Sequence, residues 1–257
     1  MKTVHCLILC FVPLLLYGQN KGELGFKFEF NSQFIDMSNV NSVLLDESLI
    51  TLGDLNTPRI EVFSKGKSFS GSINFQFLKN WSFGLNSSLI IGNITHSDGF
   101  IIPIGENVGD TMQINRNYTA SSISIGIDSR LSISNLFKFN EKKGMVNRLL
   151  FGLNLSTGYG FASFDVIELW FYNGQTTYEN SRWQYKSNGL QSRVGLDLGV
   201  LVTKNNLISS IGFNIGYQFY KTDNLKDRSG DNFMTTGKNS NLDFSGLYFG
   251  GVLKLAR

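Results

Sequence analysis

The stretch Leu24-Gly25-Phe26-Lys27-Phe28-Glu29-Phe30 alternates strictly, with apolar residues at even positions and Gly, Lys and Glu between them. A period of two puts the two sets on opposite faces of a strand. The pattern returns at Phe69, Ile73, Phe75 and Phe77, at Trp81, Phe83, Leu85, Leu89 and Ile91, and at Ile123, Ile125, Ile127, Leu131 and Ile133. Repetition of this kind, with Gly, Ser, Asn and charge on the second face, predicts an all-β chain: a transmembrane antiparallel up-and-down β-barrel with its apolar face turned to lipid.

Composition agrees. The chain has 257 residues, 22 Phe and 27 Gly but only 3 Pro, so Pro interrupts few strands. Past the first residues no apolar run reaches the ~18 that a transmembrane helix needs, which leaves closed strands as the spanning element. A formal charge of +3 supplies no basic stripe for nucleic acid.

The N-terminus reads as an export signal over residues 1–18. Lys2 is the charged leader, Cys6 to Leu16 the apolar stretch, and Gly18 a small residue before the cleavage point at Gln19. Residues 19–257 are then the barrel domain. Cys10 follows Leu9 inside the apolar stretch, a poor lipoprotein acceptor. Both cysteines leave with the signal, so the mature chain is expected to have neither disulfide nor thiol.

Eight strands are expected near 23–35, 66–78, 81–93, 118–134, 147–161, 187–202, 207–220 and 242–255, or ten if 43–63 adds a hairpin. Lys79-Asn80 and 203–206 make short polar turns, and the 135–146 connection is fairly short. The other connections are long. This asymmetry predicts short periplasmic turns, long extracellular loops and, for an even count, both termini in the periplasm of a Gram-negative cell.

With these features the chain resembles the small outer-membrane β-barrel proteins of the porin-family or outer-membrane-protein A/X-like type. The resemblance implies architecture and is nearly silent on activity. Such barrels usually end on an aromatic residue, whereas this sequence ends Leu255, Ala256, Arg257.

Parity turns Lys27, Glu29, Asp128, Arg130, Arg193, Asp197 and Lys254 inward, a set of both signs that is expected to pair internally. Asn154, Ser156, Gly158 and Gly160 between them are expected to leave room for the arginines. Tyr159, Phe161, Tyr217, Phe219 and Trp81 read as interfacial girdles. A candidate extracellular binding flap carries Trp170, Phe171, Tyr172, Tyr178, Trp183 and Tyr185 around an Asn173-Gly174 turn, with self-packing of these aromatics as the plainer alternative. The apolar run Phe100 to Ile104 is expected to fold over the barrel mouth or dock on a neighbour.

Catalytic residues, a metal site and a cofactor are not expected. His96 near Asp98 lacks any nucleophile motif, and Asp223, Asp227 and Asp231 lack the order of a calcium loop. The function expected is that of a structural anchor, or of an interaction or accessory subunit working through long extracellular loops, with outer-membrane lipid and another outer-membrane protein or assembly as partners. A narrow passive pore for small solutes, favoured by inward Ser82, Gly84, Asn86 and Ser88, is the alternative. A lipid-modifying enzyme using His96 is the third.

Overall fold

The computed structural model describes residues 24–42, 44, 62–101, 111–138, 148–172, 175–202, 208–235 and 238–256; the export segment expected at 1–18 lies outside them. The long strands are β1 (Leu24–Phe34), β2 (Lys65–Leu78), β3 (Trp81–Ile101), β4 (Thr111–Ser132), β5 (Leu149–Tyr172), β6 (Gln175–Leu201) and β7 (Ile208–Asn224). The short pieces β8 (Met234–Thr235), β9 (Lys238–Asn239) and β10 (Asn241–Asp243) precede the closing strand β11 (Gly246–Ala256). Among the described residues no helix is long and apolar enough to cross a membrane.

Each long strand pairs antiparallel with its sequence neighbours, β7 pairs with β11, and β11 returns to β1. Closure is direct, with Phe28 opposite Leu253 and Glu29 opposite Val252. The ring therefore contains eight strands. β1 also pairs directly with β2 from Leu24/Phe75 to Phe34/Lys65, so the ring of described strands closes on eight; 45–61, most of the segment on which the ten-stranded alternative rests, lies outside the described residues. The last strand differs from the expected 242–255 unit: β10 and β11 are separated by Phe244 and Ser245, and the Phe244 side chain is buried inside. The fourth strand stops at Ser132, where a helical turn, Ile133–Leu136, takes over.

The two hairpins β3–β4 and β5–β6 run much further than the alternation of apolar residues predicts. Beyond the point where the apolar outer face ends, the wall continues with its polarity inverted. Along β4 the outward residues are Ile123, Ile125, Ile127 and Leu131 in the lower part, then Ser121, Thr119 and Asn117 above. The inward residues change in the opposite sense, from Asp128 and Ser124 to Ala120 and Tyr118. On β5, Phe161 still points out, but Ala162, Phe164 and Val166 point in. Lipid demands an apolar exterior and water a polar one, so this inversion marks the membrane boundary. The span from Ile123 to Leu131 matches the ~9–11 residues that a tilted transmembrane strand needs.

The inward apolar residues of the upper wall enclose a core completed by the connections. Ile35, Met37, Val40, Leu44 and Phe63 enter from between β1 and β2, and Leu225, Phe233, Leu242 and Phe244 from between β7 and β11. Phe164 is the hub, its ring 5.7 Å from Phe233, 6.1 Å from Tyr118 and 6.2 Å from Phe63. These segments cover the mouth, a role expected of Phe100 to Ile104. In the structure Phe100 and Ile101 continue β3, opposite Met112 and Thr111, and 102–104 lie outside the described residues.

The inversion makes two outward positions on the same strand, β4, respond differently to the same charge. Ile125→Arg, on the lipid face, is expected to lower the unfolding free energy in phospholipid vesicles by about 2–4 kcal/mol. Thr119→Arg, above the boundary, is expected to change it by about 0.5 kcal/mol or less. Urea titration of both variants checks the difference.

Candidate functional site: the barrel interior and its upper rim

Eight strands enclose a lumen that side chains can fill, and here they fill it in three layers. The lowest is ionic and collects the inward charges. Lys27 on β1 pairs with Glu29 two residues on, a spacing that returns both side chains to one face. Glu29 Oε2 lies 3.4 Å from Arg193 Nη2 and accepts a hydrogen bond from Ser70 at 2.8 Å. Arg193 lies over the Tyr248 ring, 4.2 Å from its centroid, so its guanidinium meets both a carboxylate and a π face.

Asp197 is the second centre. Its Oδ2 is 2.8 Å from Lys254 Nζ, 3.4 Å from Lys27 Nζ and 3.7 Å from Arg130 Nε. Lys27 and Lys254 are direct cross-strand partners on β1 and β11. Like charges so placed repel, and the shared carboxylate offsets that repulsion. Asp197 itself stands opposite Gly152 on β5. A Cβ on Gly152 would meet Arg130 Nε at 2.8 Å, so glycine leaves the path by which Arg130 reaches Asp197.

The room expected at the other inward glycines is used differently. At Gly158 the space is taken by the backbone of Ile125 and Gly126, which closes the strand spacing. At Gly160 it is taken by the Tyr220 ring, and at Gly195 and Gly216 by the Tyr248 hydroxyl end. Two tyrosines, rather than the arginines alone, exploit these positions. Asn154 is buried with the ionic layer, and Asn154 and Ser156 line a cavity beside Lys27, Glu29 and Arg193. That cavity measures ≈20 Å³, room for about one water.

The middle layer is neutral and hydrogen-bonded. Ser88 meets Ser124 at 2.7 Å, Gln191 donates to Gln218 at 2.8 Å, and Gln33 and Gln218 both donate to the Phe244 carbonyl, at 2.6 and 3.0 Å. Ser122 and the Tyr220 hydroxyl share a hydrogen bond of 2.7 Å. The apolar core forms the third layer. Parity locates the ionic residues; the upper core escapes it because its inward apolar set resembles an outward one shifted by a single residue.

The candidate flap is part of the wall. Phe171 pairs with Thr176 and Tyr172 with Gln175, around a turn at 173–174 that lies outside the described residues. Trp170 pairs with Thr177 after a register irregularity, within which Tyr178 falls. Trp183, opposite Val166, is exposed, whereas Tyr185, opposite Phe164, packs on Phe233 with centroids 4.5 Å apart. The six aromatics are thus divided between the hairpin tip, the open rim and the packed core. On the outer side, Asp165 accepts from Arg182 at 3.3 Å and Gln184 at 3.0 Å.

Tyr159, Phe161, Tyr217 and Phe219 point outward just below the polarity boundary, and Trp81 does so beside the short β2–β3 turn. His96 and Asp98 lie on β3 opposite Arg116 and Ile114. Asp227 holds its own turn, accepting from the Ser229 and Asp231 amides at 2.8 and 2.9 Å.

No protein-family model matches this chain, and no curated protein matches it. Likenesses to solved structures exist at low identity. A major outer membrane protein from Thermus thermophilus is 10% identical, with 90% of this chain and 99% of that one covered and a TM-score of 0.42. Ail, the attachment invasion locus protein of Yersinia pestis, is 11% identical over 91% and 99%, with a TM-score of 0.37. The outer membrane protein OprG from Pseudomonas aeruginosa is 10% identical over 91% and 96%, at 0.38. At these values no activity carries over, and the architecture rests on the strand pairing above.

A buried pair is sensitive to losing one partner and tolerant of losing both. Arg193→Met is expected to lower the unfolding free energy by about 3 kcal/mol, and adding Glu29→Gln to recover part of that loss. Guanidinium titrations of single and double variants check it; additive losses would show that Arg193 and Glu29 do not act as a pair.

Proposed function

We propose that this chain is a non-enzymatic outer-membrane barrel, closed to passive flow, that anchors and displays its long hairpins to a partner. In this reading the short turns and both termini are periplasmic and the β3–β4 and β5–β6 hairpins extracellular. The protein acts as an interaction or accessory subunit.

The observation that carries the proposal is the continuous filling of the lumen. An ionic layer, a hydrogen-bonded layer and an apolar core follow one another along the barrel axis. Of Ser82, Gly84, Asn86 and Ser88, the residues that favour the pore alternative, the last three are drawn into this filling, and Ser82 lies below it at the short-turn end. Ser88 is hydrogen-bonded and buried, Asn86 lines the small internal cavity, and an added Cβ at Gly84 would overlap Asn74 Oδ1. A solute would have to displace paired charges and a packed aromatic cluster in turn. The cost of stranding even one buried charge, about 3–5 kcal/mol, supports a closed barrel. A rigid, filled wall is also a suitable base for display, because it holds the projecting hairpins in one orientation.

In planar bilayers the purified protein is expected to give no lasting current steps; reproducible steps would favour the pore. Mild-detergent purification from the native membrane is expected to yield a stoichiometric partner that is lost when residues 167–181 of the β5–β6 hairpin are replaced by a tight turn. A solitary barrel would contradict the accessory role.

A further inference from the structure

The ionic layer is unbalanced. Among the described residues lining the lower lumen there are four cations, Lys27, Arg130, Arg193 and Lys254, against three carboxylates, Glu29, Asp128 and Asp197. The imbalance is concentrated at the short-turn end. Arg193 sits with Glu29, Lys27 is shared between Glu29 and Asp197, and Arg130 and Lys254 both reach Asp197. Below them is a vestibule of ≈150 Å³. Its lining contains these three cations, the neutral polar side chains of Asn74, Gln76, Ser82 and Ser209, and no carboxylate. Arg130 Nε is buried there without a hydrogen-bond partner in the protein.

We propose that this vestibule is a binding site for a small inorganic anion of phosphate or sulfate size. Four cations against three carboxylates, with Lys27, Lys254 and Arg130 all on a vestibule lining that has no carboxylate, leave positive charge there inside a shell where uncompensated charge is costly. Ammonium and guanidinium donors with neutral hydroxyl and amide groups around them are the donor set that oxyanions take. Against the about 10–15 Å³ of such space that one water needs, the volume suits one such ion with some of its water. Lys27, Arg130 and Lys254, with Asn74, Gln76 and Ser82, lie at inward positions of a closed ring, so the ligand is a free anion entering from the short-turn end rather than a lipid headgroup arriving from the side.

The test is isothermal titration of the full mature protein, in a phosphate-free detergent at fixed ionic strength, with inorganic phosphate. The wild type is expected to give saturable one-to-one binding. Arg130→Gln and Lys254→Gln are each expected to weaken it roughly tenfold, the loss of a charge-assisted hydrogen bond, while Lys226→Gln, on the outer connection, leaves it unchanged. Ser82→Leu, which fills the vestibule and keeps every charge, is expected to abolish binding and serves if a charge variant fails to fold. Absence of saturable binding in the wild type, or unchanged affinity in the folded vestibule variants, would overturn the proposal.

Discussion

In hydrocarbon every backbone N–H and C=O must find its partner within the protein. The pairing of β11 with β1 satisfies that demand for the two strands that would otherwise be edges, and the other features follow from it. Closure with eight strands makes a lumen narrow enough to be filled by side chains. The inward face in the membrane cannot be apolar in sequence without losing its contrast with the lipid face, so it is polar and must satisfy itself. Asp197 shows how: one carboxylate holds Lys27 and Lys254 on adjacent strands and Arg130 from the far side of β5. Four strands of the ring are tied by one side chain.

Above the lipid boundary the same wall meets the opposite solvent and adopts the opposite pattern. The outward positions become Asn93, Thr95, Thr119, Lys186 and Lys221, and the inward ones Ile94, Tyr118, Ala120, Phe164 and Val166. The upper third is built like a water-soluble barrel, with an apolar core of its own. That core is closed by chain that leaves the wall and returns to it, notably Met37, Val40 and Phe63 on one side and Leu225, Phe233 and Phe244 on the other. The hairpins are therefore continuations of the wall rather than loops upon it, which is why a partner reading them would meet a fixed surface.

The membrane part is legible in the sequence because period-two alternation and parity are local properties. Lys27 and Glu29 can be assigned inward from seven residues of β1, and Arg193 and Asp197 from the alternation of Val194, Leu196 and Leu198 on β6. The upper part is hidden by a change of phase. In Phe161-Ala162-Ser163-Phe164-Asp165-Val166, apolar residues pass from the outward to the inward parity without any turn, and Leu89-Ile90-Ile91 does the same on β3. Such a run signals burial on both faces, or a boundary between two solvents, and alternation alone reads it as the strand's end. The entry of 35–42 into the mouth depends on contacts with residues more than a hundred positions away, such as Asp36 with Ser245 and Asn39 with Asn241, which no local pattern encodes. The glycines illustrate the same limit: Gly160 and Gly195 are evident as small inward residues, but that Tyr220 and Tyr248 occupy their space is a property of the closed ring.

The most direct test of this account is labelling by a membrane-impermeant maleimide along β4 in intact vesicles, with single cysteines placed at 117, 119, 121, 123, 125 and 127 of a chain spanning residues 19–257, which has no cysteine of its own. Outward positions 117, 119 and 121 are predicted to label, and 123, 125 and 127 to be protected by lipid, with the change falling between 121 and 123. Protection running unbroken through 117, or labelling at 125, would contradict a wall whose polarity inverts at the membrane surface.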